Sequence, residues 1–244
     1  MTTRARESSP QTYARIGGAI YVVIIMLALF GLYSREGLIV PDDAAATADN
    51  IMGSEMLFLA GLAGEMLSIV GDITLTLILY VLLRPVSRSL ALLAAFLRLT
   101  FNSVYAVSKL FLVATLIVLG DADYLNALDP QQLHTLAYLS LSLHAHGYSL
   151  SLTFFGFNCL LLGYLIVRSG YLPRIIGVLL VLGGVGYLIN SFWEILVAPA
   201  FTASLFPGIL LLPAFAGELG LGLWLVVKGV NVQKWEARAQ GAPA

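Results

Sequence analysis

Apolar residues run along this chain in six blocks, at 16–34, 56–83, 90–119, 148–167, 175–197 and 206–227. Each is long enough for a transmembrane helix, which needs about 20 apolar residues. Polar residues inside the blocks keep a helical rhythm. In the second block Gly61, Glu65, Ser68, Asp72 and Thr76 follow one another at steps of three and four, as do Arg98, Asn102, Tyr105 and Lys109 in the third. Such spacing puts each set on one helical face. The pattern predicts an all-α integral membrane bundle of six transmembrane helices. Both stripes should turn inward, because ionisable groups at membrane depth face the bundle interior or a water-filled cavity.

The segments between the blocks divide by charge. Arg4, Arg6 and Arg15, then Arg84 and Arg88, then Arg168 and Arg174, then Lys228, Lys234 and Arg238 all fall on one side of a six-span chain. The other side holds Arg35 as its only base, with Glu36, Asp42, Asp43, Asp49, Glu55, Asp121, Asp123 and Asp129. Basic loops stay inside, so both termini are expected to be cytoplasmic and the protein to lie in the inner (plasma) membrane. The expected divisions are a cytoplasmic segment 1–15, a transmembrane domain 16–230 and a cytoplasmic tail 231–244. Short amphipathic helices are expected in the first two external loops. One starts after Pro41 with an aspartate cap; the other starts at Asp129 and Pro130 and is broken or bent near Gly147 before span four.

Composition narrows the classes. Hydrophobic residues make up 59% of the chain and charged residues 11%, where a soluble domain carries about 25% charged residues. A net charge of −1 argues against a nucleic-acid partner, which needs a basic field. The lone Cys159 reads as a packing residue. Gly183, Gly184 and Gly186 follow no strand, so they suit close helix contact better than a dinucleotide. Pro213 is expected to kink span six one turn before Glu218, and Trp193, Trp224 and Trp235 to act as interfacial anchors.

Depth pairs the charges. Asp72 lies twelve residues before Arg84 and Arg98 ten after Arg88; Glu65 lies ten after Glu55 and Lys109 twelve before Asp121. At about 1.5 Å of rise per residue, Asp72 should meet Arg98 and Glu65 should meet Lys109. Four intramembrane acids, Glu65, Asp72, Glu194 and Glu218, then face two bases, so at least one acid lacks a cationic partner. Glu218, near the midplane, is expected to be that acid and to be neutral, since burial without a partner disfavours charge.

A polar pocket is therefore expected between spans two, three, five and six, open toward the outside or the outer leaflet. Its candidate ligand-binding residues are Glu65, Asp72, Arg98, Asn102, Tyr105, Lys109, Asn190 and Glu218. Glu65, Asp72, Glu218 and His144 are the candidate catalytic groups. His144 and His146, two residues apart, point to nearly opposite helix faces and do not match the i,i+4 spacing of a metal pair, unless a break at Gly147 turns both onto one ion. No metal and no cofactor is expected. Three readings follow: a pocket for a lipid-like or small amphiphilic ligand, an intramembrane enzyme on a lipid or isoprenoid substrate, and a proton-coupled small-solute transporter. Membrane lipids are the expected partners, together with such a ligand and a second copy of the chain as a homo-oligomer.

Particular stretches carry a family likeness. The turn SGYLPR at Ser169–Arg174, within FFGFNCLLLGYLIVRSGYLPRIIGVLLVLGGVGYLINS, stands with LIVPDDAAATADNI, LYVLLRPVSRSLALLAAFLRL and GELGLGLWLVVKGVN. Over about residues 15–231 the chain resembles the bacterial membrane proteins of the domain-of-unknown-function family DUF4386. The resemblance implies a polytopic membrane protein; it supplies no activity and no catalytic residue.

Overall fold

Asp43, Ser87 and Asp129 each accept a hydrogen bond from the backbone N–H three residues on, at 2.9, 3.4 and 2.9 Å. Each begins a helix, because a side-chain oxygen there satisfies one of the N–H groups that the first turn leaves open. Asp129 adds a reciprocal bond, its N–H donating to Gln132 at 3.0 Å. The protein, seen here as a computed structural model, is described over residues 9–196 and 211–241. Among the described residues there are eight α-helices: α1 (Pro10–Glu36), α2 (Ala44–Gly53), α3 (Glu55–Leu83), α4 (Arg88–Leu119), α5 (Pro130–Ser169), α6 (Arg174–Leu196), α7 (Leu212–Val227) and α8 (Val232–Ala239).

Five of them, α1, α3, α4, α5 and α6, are long and apolar enough to cross a membrane, and α7 with α8 makes a sixth if that bent pair is counted as one. Burial runs opposite to that of a water-soluble protein. Arg98 is 2% exposed, whereas Leu67 is 63% exposed. An apolar outside around a charged inside is the arrangement a bilayer demands. The chain is a membrane protein.

The long helices close into a ring in which α1 packs on α3, α3 on α4, α4 on α5, α5 on α6, α6 on α7 and α7 back on α1. Apolar layers fill the ring at two levels. Leu75, Leu82, Leu162, Leu165, Leu221 and Leu225 fill the end that carries Arg84, Arg88, Arg168 and Arg174, called here the basic end. Leu38, Ile51, Phe58, Leu62, Leu112 and Leu141 close the opposite, acidic end. The polar stripes lie between them.

The helix seams differ. Along α5 and α6 the backbones touch, and a Cβ at Gly177 would come within 2.6 Å of the Gly163 carbonyl oxygen. At α3 and α4, long charged side chains bridge the gap instead.

Several expectations change in the structure. The second loop holds no separate amphipathic helix: a short 3₁₀ helix (Asp123–Ala127) precedes α5, which runs unbroken through Gly147 for 40 residues. Gly147 is there for contact, since a Cβ would lie 2.8 Å from the Cβ of Ser108 on α4. Pro213 does not kink α7; it sits in its first turn, where a missing N–H breaks no helical bond. The facing ends expected for spans five and six, at Val197 and Phe206, lie outside the described residues, as do Arg4 and Arg6.

The tail residues 232–239 form α8, set at 102° to α7. The basic end is tied across the ring. Tyr171 in the α5–α6 turn and the Trp235 indole of α8 both donate to the Leu82 carbonyl of α3, at 2.7 and 2.9 Å. Burial pushes the Tyr171 phenol above its ordinary value, so the group stays a donor. Gln11 of α1 donates to the Lys228 carbonyl and accepts from the Val230 N–H, each at 3.0 Å.

Candidate ligand site in the bundle interior

The stripe of α3 meets the stripe of α4 through two carboxylates. Arg98 grips Asp72 with Nε, 3.1 and 2.9 Å from its two oxygens, and with Nη2 at 2.5 Å. Asn102, one turn further along α4, donates to the same carboxylate at 2.7 Å. Asp72 is thereby fully bonded, as a buried charge requires, whereas Nη1 of Arg98 is buried with no hydrogen-bond partner among the described residues. About two helical turns toward the acidic end, Lys109 reaches Glu65 at 2.6 Å and the Tyr105 hydroxyl donates to it at 3.1 Å.

Glu65 has a second cation that depth counting missed. Arg35, in the last turn of α1, folds back into the ring and places Nη1 3.1 Å from both oxygens of Glu65. A signal was present, since Tyr21, Ala28 and Arg35 recur at seven-residue steps and so share one helical face. All three border the interior.

Glu218 on α7 has no cation partner among the described residues. It accepts from the hydroxyls of Tyr187 on α6, at 2.8 Å, and Tyr21 on α1, at 3.3 Å. Neither Arg98 nor Asn102 donates to it. Glu194, also on α6, is held by Asn190 at 3.2 Å and by a close hydrogen bond from Ser149.

Aromatic rings line the α4–α6 side in an unbroken series. Tyr148 meets Tyr105 (centroids 5.2 Å apart), Tyr105 stacks on Phe101 (5.7 Å), Phe101 meets Phe155 (4.7 Å) and Phe155 meets Tyr187 edge-on (5.4 Å). The Arg98 guanidinium lies 5.2 Å from the rings of both Tyr21 and Phe155, and the Lys109 ammonium 3.8 Å from that of Tyr105. Cation–ring contacts of this kind strengthen where water is excluded.

These groups enclose a cavity of about 190 Å³, walled by Glu65, Asp72, Arg98, Asn102, Tyr105 and Glu218 on the polar side and by Ile24, Ala28 and Ile69 among others on the apolar side. A second cavity of about 310 Å³ lies toward the acidic end, bordered by His144, Ser149, Asn190 and Glu194. Leu32, Arg35, Tyr148 and Leu152 border both and form the wall between them. A third void, about 10 Å³, lies on the basic side of Arg98 against Asn158.

The ligand candidates therefore divide. Glu65, Asp72, Arg98, Asn102, Tyr105 and Glu218 border the central cavity, Asn190 borders the outer one, and Lys109 stands behind Glu65. The four catalytic candidates do not share a site either. His144 borders the outer cavity, with Nδ1 3.1 Å from the Ser108 carbonyl oxygen, while His146 turns back to Ser142 at 2.8 Å. With α5 continuous through Gly147, the two histidines stay on different faces. No group of three His, Cys, Asp or Glu residues arranged to hold a metal ion occurs among the described residues.

Comparison with known proteins gives a family without an activity. The family described as "Domain of unknown function (DUF4386)" matches residues 16–229. A protein of Archaeoglobus fulgidus, described as "Uncharacterized protein", is 29% identical over 183 residues, covering 71% of this chain and 91% of its own. No solved structure matches the chain.

Proposed function

Because the chain belongs to the DUF4386 family, whose description names no reaction, its function must be read from the interior, and we propose that it binds a lipid-like or small amphiphilic ligand in the central cavity. One observation carries this reading. A cavity of about 190 Å³ at membrane depth has ion pairs on one wall and aliphatic residues on the other, and pockets of mixed lining with a few convergent polar groups are the usual binding sites. The ligand enters from the outer cavity, past Arg35.

The same proposal includes an orientation in the inner (plasma) membrane. The chain crosses six times with both termini in the cytoplasm, and the acidic end faces out. Arg35, the single exception in the charge count, supports that orientation, because its side chain turns inward to Glu65 and is not a loop charge. Reporter fusions at Ala48 and Arg238 are expected on opposite sides.

Native mass spectrometry of the chain released from lipid nanodiscs is the direct test. An adduct of one small amphiphile is expected, and Ala28→Phe, which fills the cavity, is expected to remove it while the melting temperature holds. An adduct that survives Ala28→Phe sinks the reading.

Proton-coupled transport of a small solute is the second reading, favoured by the succession of three cavities along α5, which lines each of them. Arg35 stands between the outer and central cavities and Arg98 between the central and inner ones. Solute-driven acidification inside proteoliposomes would favour it. The catalytic reading has less support, since His144 sits apart from the three acids.

A further inference from the structure

Glu65 and Glu218 stand at different levels of the central cavity, in opposite electrical situations. Glu65 receives two cations, Arg35 at 3.1 Å and Lys109 at 2.6 Å. Among the described residues, Glu218 receives only two tyrosine hydroxyls. Between them Asp72 and Arg98 cancel one for one. The pole at Glu65 thus holds one positive charge in surplus, and Glu218, expected to be neutral while no cation stands beside it, becomes the matching negative charge at the deeper pole when a cationic group arrives. Glu65 and Asp72 are seven residues apart on α3, about 10 Å of helix. Glu218 sits near the Asp72 level, because Tyr21 donates to Glu218 and also lies 5.2 Å from the guanidinium that grips Asp72. The acids of the outer cavity stand apart from these two poles. Glu36 is exposed at the rim, and Glu194, whose partners Ser149 and Asn190 are also uncharged, borders the outer cavity and not the central one.

Resting on the reading that this cavity binds an amphiphile, we infer that the ligand is dipolar: an anionic group meets Arg35, a cationic group such as a protonated amine meets Glu218, and an apolar body about 10 Å long joins them. Arg35 suits the first contact. It borders both cavities, and a single nitrogen straddles the two oxygens of Glu65, so its contact is shared and not the aligned fork that guanidinium and carboxylate prefer. When Arg35 turns to a ligand, Glu65 keeps Lys109 and Tyr105.

The deep pole suits a cation. Glu218 is the carboxylate there that no base neutralises, Tyr187 bonds to it, and Phe215 stands one turn before it on α7. Aromatic faces and a carboxylate together attract an ammonium group. Ile24, Ala28 and Ile69 line the stretch between the poles. The volume fits, because about 150 Å³ of apolar cavity accommodates benzene, which leaves room for a short alkyl chain whose anionic end reaches the wall at Arg35.

Titration calorimetry on the full chain in phosphatidylcholine nanodiscs, with protein-free discs as the blank, tests this with four probes. They are 8-aminooctanoate, octanoate, octylammonium and 4-aminobutanoate, whose charges are too close together. The 8-aminooctanoate ion is expected to bind at least tenfold tighter than the other three. Glu218→Gln keeps the shape of the side chain and is expected to lower that affinity to the level of octanoate. Arg35→Gln leaves Glu65 with Lys109 and is expected to lower it to the level of octylammonium. Equal binding of octanoate or octylammonium by the native chain, a comparison that needs no variant, overturns the dipolar ligand; so does unchanged affinity in Glu218→Gln. In either case the amphiphile reading stands. If no probe binds, the dipolar ligand is again overturned, and the adduct in the native mass spectrum decides separately whether the pocket reading falls with it.

Discussion

Two seams of the same ring hold their helices by opposite means. Between α5 and α6 the contact is backbone on backbone, with Gly163 against Gly177 and Gly156 against Gly184. Between α3 and α4 it is carboxylate against base, Asp72 with Arg98 and Glu65 with Lys109. A bilayer provides no hydrophobic drive for helices to associate, so packing and polar contacts must do it. Glycines let two helices approach until no space remains. Long charged side chains hold theirs apart, and the space they maintain is the cavity. The central cavity borders the bridged seam at Glu65, Asp72, Arg98, Asn102 and Tyr105.

The largest expected effect tests the bridged seam. Asp72→Ala strands a buried guanidinium and should cost about 3–5 kcal/mol, read as a fall in melting temperature in nanodiscs. Exchanging the pair, Asp72→Arg with Arg98→Asp, should recover part of that loss, whereas strictly additive losses would count against a direct bond. Next comes the close seam. Gly177→Ala drives a methyl group into the Gly163 carbonyl and should cost about 1–3 kcal/mol, with no rescue from any charge change. A neutral result there would mean that the glycine contact is slack.

Tyr187→Phe removes one of the two hydroxyls on Glu218 and should cost about 1 kcal/mol. The smallest effect is expected at Arg35. With Lys109 remaining on Glu65, Arg35→Gln should cost about 1 kcal/mol or less. A loss as large as that of Asp72→Ala would show that the outer pair is structural and not available to a ligand.

How much of this was legible depends on whether a feature lives on one helix or between several. The stripes of α3 and α4 were readable because three- and four-residue steps define a face, and because counting from the loops gives depth. Arg35 was misjudged for the same reason. Counted from the end of its block it is a loop base, and only the packing of α1 on α3 shows its side chain turned inward. Which cavity Asn190 borders, and that Lys109 lies behind Glu65, depend on neighbours that no periodicity reveals. In sequence Gly147 suggests a break or bend, yet its use is contact with Ser108 on α4. The eight residues of α8 are too few and too polar for hydropathy to find, and the Trp235 contact gives them their place.

The carbonyl of Leu82, bonded by Tyr171 and by Trp235 at once, works as a pivot. It joins α3, the α5–α6 turn and α8 at one point. A tilt of α3 of about 5° about that point carries its far end at Glu55, about 40 Å away, through about 3.5 Å. Displacement grows with distance from the pivot. Asp72 lies ten residues from Leu82 and Glu65 seventeen, so the contact with Arg35 travels nearly twice as far as the grip of Arg98. Such a tilt would part the outer pair first, on the side from which the proposed ligand would arrive.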